Sequence, residues 1–309
     1  MKPEILLIEP MMPEVEKQLD AAYTVHRFTS VEQLEAIAPN IRAIATGGAT
    51  GVPAPVMNSL PALEIIAING IGTDAVDLKE ARRRHIHVTT TPGVLTDDVA
   101  DMALGLILSL LRGLPESDRY VRDGAWGHSP APALGHKVTG KKLGIIGMGQ
   151  VGRAIARRAQ AFSMPISYTD LKDFGLDEYH FVPDLKALAL ESEILVIAAS
   201  GGPGSRHLVN RDILDAVGTH GVVVNVARGS VVDEQALVQA LEEGTLGGAA
   251  LDVFEHEPNV PTALMHSNRT VLQPHRASAT VETRLEMGNL VVRNLAAHFA
   301  GQALLTAVI

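Results

Sequence analysis

The sequence predicts an α/β protein of two domains built from parallel strand–helix units. Three observations carry this expectation. Short apolar segments of strand length alternate with helical patterns along the chain, as parallel βα units do and antiparallel sandwiches do not. The length, 309 residues, exceeds one ordinary domain. Finally, Leu143-Gly144-Ile145-Ile146 runs directly into Gly147-Met148-Gly149-Gln150-Val151-Gly152 and then into the amphipathic Arg153-Ala154-Ile155-Ala156-Arg157-Arg158. That succession is a strand, a Gly-x-Gly-x-x-Gly turn and a helix.

From the N-terminus, Glu4 to Ile8 reads as a buried strand and Pro13 to Ala22 as a helix opened by proline. Strands are expected at Tyr23 to His26, Ala43 to Thr46, Leu63 to Ile68 and His87 to Thr90. Helical patterns lie between them, around Val31 to Ala38 and Asp77 to Arg84. From Thr96-Asp97-Asp98, a start suited to capping, a long helix runs through Leu111 and bridges the domains. Beyond the glycine turn, strands are expected at Pro165 to Tyr168, Ile194 to Ala198, Val222 to Asn225 and Ala249 to Asp252. Helices are expected at Leu185 to Leu190, Asp233 to Glu243 and Ala279 to Phe299. The last helix follows the whole nucleotide unit, so it is expected to pack back on the first domain. That domain is then discontinuous, residues 1–97 with 278–309, around a nucleotide domain of residues 98–277.

Composition narrows the function. Apolar residues make up 46% and charged residues 20%, which suits a globular protein with substantial cores. A net charge of −9 disfavours nucleic acid or an anionic membrane surface as partner. With no cysteine, disulfides, thiolate metal sites and cysteine nucleophiles are excluded, and no metal is expected. Met1-Lys2-Pro3-Glu4 lacks a signal-peptide layout, and Met102 to Leu111 is too short to span a bilayer. A cytoplasmic location follows by elimination.

Each glycine of the turn has its own duty. Gly147 permits the tight bend, Gly149 lets backbone approach a pyrophosphate, and Gly152 lets the helix pack on the strand. The helix N-terminus then offers N–H groups and partial positive charge to phosphate. Residues 147–152, with Met148, Gln150 and Val151 between the glycines, are therefore the candidate dinucleotide cradle. Asp170 follows the next strand by the interval at which this arrangement grips the adenosine ribose; the alternative is a solvated loop acid or a helix cap. Thr46-Gly47-Gly48-Ala49-Thr50-Gly51 follows a strand end and reads as an anion-binding nest or as a plain turn.

Three further residues lie at or just past strand ends: Arg228, Glu257 and His275. An arginine clamps a carboxylate and polarises a neighbouring carbonyl. A histidine exchanges a proton near neutral pH, and a carboxylate on its other nitrogen fixes the tautomer. With a nicotinamide they complete a kit for reducing a 2-keto acid. Singly, each has a plainer reading: a surface ion pair, a solvated acid, one of 12 histidines.

Together these segments resemble the D-isomer-specific 2-hydroxyacid dehydrogenases over essentially the whole chain. The likeness is most specific in Val226-Ala227-Arg228-Gly229, Asp252 to Pro258 and Pro274-His275. The resemblance implies two doubly wound parallel-sheet domains, a Rossmann nucleotide domain plus a flavodoxin-like substrate domain, with a cleft between them and a homodimer built on the nucleotide domain. It implies Arg228 as substrate binder, His275 as acid/base and Glu257 as its partner. Val226 and Asp252 fall on the cofactor side, and backbone at Gly47, Gly48, Ala49, Asn69 and Gly70 is implied to hold the substrate carboxylate. Gly47 to Pro53, Leu95 to Asp101, Ser200 to Pro203 and Ala277 to Arg284 are similar to the glyoxylate/hydroxypyruvate reductase and 2-ketogluconate reductase branch.

Two departures matter. Many members of that branch carry Ser/Asn-Arg after the second strand and use NADP, whereas Asp170-Leu171 stands here. NAD(H) is therefore favoured, with NADP(H) admitted by Lys172. The second departure is Ala277, where a glycine often follows the histidine. A rival reading is a nucleotide-sensing, corepressor-like binding protein, expected to show a docking cleft or charged tails, whereas this chain ends at Ile309. Phosphoglycerate dehydrogenases, a third reading, usually append a regulatory domain, for which no length is left. A homodimer is expected through the apolar helix Met102 to Leu111, with Trp126 or His128 reaching the neighbour's cleft; the alternative buries that helix within its own chain.

Overall fold

Among the described residues, 2–309 of a computed structural model, every ladder between strands is parallel. The chain divides into two compact units, residues 1–95 with 278–309 and residues 96–277.

The first unit contains β1 (Glu4–Leu7), α1 (Pro13–Ala22), β2 (Thr24–Arg27), α2 (Val31–Ile37), β3 (Ile41–Gly47), α3 (Ala54–Ser59), β4 (Ile65–Asn69), α4 (Leu78–Arg83) and β5 (His87–Thr89). Its sheet runs β2-β1-β3-β4-β5, the flavodoxin-like order, which reverses between β1 and β3. The central strands are nearly unbroken apolar runs because helices cover both faces. On one face Ile44, Ile66 and Ile68 pack with Val56, Met57 and Leu60. On the other, Ile5, Ala43 and Ile65 meet Val15 and Leu19 of α1 and Val291 and Leu295 of the closing helix Val281–Phe299. A side chain at Gly288 would run into Val15, so glycine there lets the closing helix approach α1. The tail then joins β5: Val308 donates its N–H to Val88 and Val88 donates to Ile309. These contacts make the unit discontinuous.

The second unit contains α5 (Thr96–Arg112), α6 (Leu114–Arg122), β6 (Leu143–Ile146), α7 (Gln150–Gln160), β7 (Ile166–Thr169), β8 (His180–Phe181), α8 (Leu185–Glu191), β9 (Ile194–Ile197), α9 (Arg211–Val217), β10 (Val222–Asn225), α10 (Glu234–Glu243), β11 (Gly248–Leu251), α11 (Thr262–His266) and β12 (Thr270–Leu272). The order β12-β11-β10-β9-β6-β7-β8 is that of a dinucleotide-binding sheet, with its reversal between β6 and β9. Of the two readings of the apolar stretch Met102 to Leu111, the structure takes the buried one. Ala103, Leu104, Leu106, Ile107 and Leu111 are buried, and α5 packs on α7, β10, β11 and β12. Large exposed apolar side chains follow it in the chain, among them Trp126 at 76% and Leu134 at 95% exposure.

Sequence periodicity missed α3, α6, α9, α11, β8 and β12. All but α6 are seven residues or shorter, a length at which a period registers weakly. Nine-residue α6 buries no residue, so no apolar pattern holds it to the unit's core.

Candidate active site

The glycine turn lies at the sheet's reversal point. Gly147 has φ 93°, and a Cβ there would come within 2.7 Å of the Ala199 backbone just past β9. A Cβ on Gly152 would strike the carbonyl oxygen of Gly147, so α7 sits directly against the turn. Gly149 differs, because a Cβ there would meet no atom within 4 Å. Packing gives no reason for that missing side chain; a phosphate approaching the N-terminus of α7 does. The Asp170 carboxylate accepts the Met148 N–H at 2.7 Å through Oδ2 and the Leu171 N–H at 2.7 Å through Oδ1, which ties it to the cradle. These residues fit a dinucleotide. Two cations stand beside them: the Arg153 guanidinium lies 4.9 Å from the Phe174 ring centre and the Lys172 ammonium 5.5 Å from it.

Arg228, Glu257 and His275 follow three adjacent strands, β10, β11 and β12. After β10, the buried Asn225 side chain accepts the Ala227 N–H at 3.0 Å and donates to the Arg228 carbonyl at 2.9 Å, fixing the turn. A Cβ on Gly229 would collide with the Phe254 carbonyl, so this turn lies flat on the loop that carries Glu257. Within that loop Glu257 accepts the Phe254 N–H at 3.0 Å through Oε1. Its other oxygen accepts from His275 Nδ1 at 2.8 Å. The carboxylate thereby orients the ring and leaves Nε2, on the opposite edge, to exchange a proton. Burial presses the Glu257 carboxyl upward, but the His275 bond and charge, the Phe254 N–H and the Arg228 charge hold it below the usual carboxylate range. Glu257 is therefore ionised at neutral pH. The stabilisation it contributes is present above the ordinary carboxyl value and is lost as pH falls through the lowered one.

Asp252 lies just past β11 and is 1% exposed. Its oxygens accept the Arg276 N–H at 2.7 Å and the Ala277 N–H at 2.9 Å. Val226 is buried one residue beyond β10 and donates its N–H to Ile197.

In the first unit, the loops after β3 and β4 stand back to back. A Cβ on Gly70 would come 3.0 Å from the Gly48 Cα. Gly47 lies against the Glu9 carboxylate, which accepts from Thr50 Oγ1 at 2.5 Å. The structure thus brings Gly48 and Gly70 together, with Ala49 beside one and Asn69 beside the other. Asn69 is buried, and its Oδ1 has no protein partner.

The sequence reading missed one cluster. Glu255, two residues before Glu257, accepts from Arg206 at 2.7 Å and from the ring of His207 at 2.8 Å. The Glu255 N–H in turn donates to Glu234, whose carboxyl is pushed up by burial. Together they pin the far side of the Glu257 loop. No sequence signal marks partners 48 and 49 residues apart. Among the described residues, no group of three acidic or histidine side chains is placed to hold a metal ion, and no helix is long and apolar enough to cross a membrane.

The cradle and the His–Glu–Arg constellation fit a nicotinamide-dinucleotide-dependent oxidoreductase of 2-keto and D-2-hydroxy acids. Residues 104–277 match the family profile of the D-isomer specific 2-hydroxyacid dehydrogenase NAD binding domain. A 2-ketogluconate reductase of Gluconobacter oxydans is 51% identical over 308 residues, covering 100% of this chain and 99% of that protein. An Arabidopsis thaliana glyoxylate/hydroxypyruvate reductase is 47% identical, covering 99% and 98%. The crystal structure of an NADPH-dependent glyoxylate/hydroxypyruvate reductase of Sinorhizobium meliloti with NADP and malonate superposes at a TM-score of 0.95, with 41% identity and coverage of 100% and 97%. The chain belongs to the D-isomer-specific 2-hydroxyacid dehydrogenase family.

Proposed function

We propose that the chain reduces a short or hydroxylated 2-keto acid of the glyoxylate, hydroxypyruvate or 2-ketogluconate type to the D-2-hydroxy acid, with His275 as proton donor. The 2.8 Å bond between His275 Nδ1 and Glu257, next to the Arg228 turn, carries this reading. When bound, the nicotinamide supplies the hydride. Arg228 binds the substrate carboxylate and polarises the keto oxygen, and His275 Nε2 delivers the proton to that oxygen as charge gathers on it. Backbone around Gly47 to Ala49 and Asn69 to Gly70 is assigned to the substrate carboxylate, and Val226 and Asp252 to the cofactor side, from the family resemblance. Assays with NADH and NADPH against glyoxylate, hydroxypyruvate, phenylpyruvate and 2-ketogluconate test the reading; no turnover of any of the four overturns it.

Glu257→Gln should lower kcat, because an amide at that position no longer fixes the His275 ring with Nε2 free to deliver the proton. An unchanged kcat would separate Glu257 from proton delivery.

NADH is the preferred reductant in this reading. Asp170 accepts ribose hydroxyls and repels a 2′-phosphate, which should favour NADH by ~1–3 kcal/mol, roughly tenfold or more in kcat/KM. Arg153 and Lys172 on the Phe174 ring work against that preference by offering positive charge to a phosphate. Asp170→Ser should narrow the NADH advantage; equal or better kcat/KM with NADPH in the unmodified enzyme would refute it.

We also assign a cytoplasmic homodimer. The exposed Trp126 and Leu134 in the segment after α6 support it, because surface aromatic and aliphatic side chains of this size favour interfaces. Light scattering at micromolar concentration should return twice the chain mass, and a monomeric mass would rule the dimer out.

A further inference from the structure

In the first unit a carboxylate stands at the sheet's own reversal point. Glu9 follows β1, Gly47 ends β3, and those two strands lie side by side where the order turns. An open α/β sheet takes its ligands in the crevice outside the carboxyl ends of the strands at such a point. Gly47 is buried, and a Cβ on it would collide with the Glu9 carboxyl group, so glycine is what lets that group lie against the backbone. The Thr50 hydroxyl donates to Glu9 Oε2 at 2.5 Å and holds the carboxylate beside the loop. A carboxylate has about four acceptor positions, so this bond leaves most of them open. The neighbouring strand ends add polar groups. Asn69 is the register partner of Gly47 across β3 and β4, and Thr91, just past β5, donates its N–H to the Gly70 carbonyl. Asn69 is 8% exposed and Thr91 0%. Their Oδ1 and Oγ1 are, among the described residues, the buried side-chain polar atoms with no protein partner. Unpaired buried groups of this kind are rare in a folded chain and mark places where something else completes the bonding.

We infer that Glu9 is a specificity-determining residue, selecting 2-keto acids that carry hydroxyl groups beyond C2, as open-chain keto sugar acids do, by accepting those hydroxyls beside Gly47. The backbone from Gly47 to Ala49 is the part of the unit assigned above to the substrate carboxylate, and Glu9 sets a like charge next to it. A hydroxylated acid offsets that repulsion through charge-assisted O–H···O bonds to Glu9. Glyoxylate, whose reactive aldehyde form has no hydroxyl, meets the repulsion alone. Asn69, with nothing on Oδ1 to hold its amide one way round, offers the same chain a second polar contact. The fold itself asks for no charge here, since a glutamine would accept the Thr50 hydroxyl as well. The inference deepens the proposed function and rests on it, because it takes this loop as the substrate loop of a 2-keto acid reductase.

Steady-state kinetics of the holoenzyme with 2-ketogluconate, hydroxypyruvate and glyoxylate test it. The parent should rank them in that order by kcat/KM, following their hydroxyl content. Glu9→Gln should lower kcat/KM for 2-ketogluconate roughly tenfold or more, the scale of a lost charge-assisted hydrogen bond, chiefly through KM. The same substitution should leave kcat/KM for glyoxylate unchanged or raise it, because the repelling charge is gone. Divergence between the two substrates is the decisive readout: a residue that only braced the loop would depress both alike. A parent that favours glyoxylate, or a variant in which both substrates lose equally or neither changes, would overturn the inference. Should Glu9→Gln fold poorly, inhibition of the unmodified enzyme decides. Gluconate should inhibit roughly tenfold or more tightly than hexanoate, a chain of the same length without hydroxyls, and equal or weaker inhibition would overturn the inference. Failure of the underlying reading looks different: the parent would then turn over none of the three keto acids.

Discussion

His275→Ala should lower kcat for keto acid reduction by ~10²–10⁴, the usual range for loss of a positioned general acid. The size of the effect follows from how little else is available. The Glu257 carboxylate is ionised, held by the His275 ring and the Phe254 N–H, and has no proton to give at neutral pH. Asp252 has both oxygens committed to backbone. Removing the ring also strands Glu257, whose burial is offset chiefly by the bond and charge of His275, so the loop from Asp252 to Pro258 should loosen as well. Steady-state kinetics across pH make the measurement. A variant that turns over at nearly the parent rate, with an unchanged profile, would show that His275 is not the acid.

Arg228→Ala should cost ~10³-fold or more in kcat/KM. A charge-assisted clamp on the substrate carboxylate contributes ~1.5–3 kcal/mol, and a donor aimed at the developing oxyanion adds ~2.7–4 kcal/mol. Both are lost together, so KM should rise while kcat falls. The turn that carries Arg228 is held by Asn225 on one side and lies on the Phe254 backbone at Gly229 on the other. Arg228→Lys should recover only part of the activity, since an ammonium keeps the charge but lacks the planar fork that meets two oxygens at once. A raised KM with an untouched kcat would confine Arg228 to binding, and no change in either would remove it from the site.

Much of the candidate site was legible before the fold. Gly147, Gly149 and Gly152 are close in sequence, so their duties are local and their pattern can be read directly. The same holds for the turn at Val226-Ala227-Arg228-Gly229 and for the nearly unbroken apolar runs of β3 and β4, whose periodicity belongs to the chain itself. His275 and Glu257 were proposed as partners only through resemblance, since 18 residues separate them and nothing in their spacing joins them.

The sequence by itself determined the alternation of strands and helices, the dinucleotide turn and the residue types available for proton and carboxylate chemistry. These depend on interactions within a few residues, where periods of two and 3.6 and the needs of a tight turn act directly. The tertiary structure alone decided that α5 is buried within its own unit and that β8 and β12 complete the second sheet. It alone decided that Asp252 reaches the amides of Arg276 and Ala277, 24 and 25 residues away. It likewise placed Glu255 against Arg206 and His207, across 49 and 48 residues. Partners at such separations meet only because sheet order sets strands remote in sequence side by side, and that order is fixed by packing both faces of the sheet at once, which no local window of sequence contains.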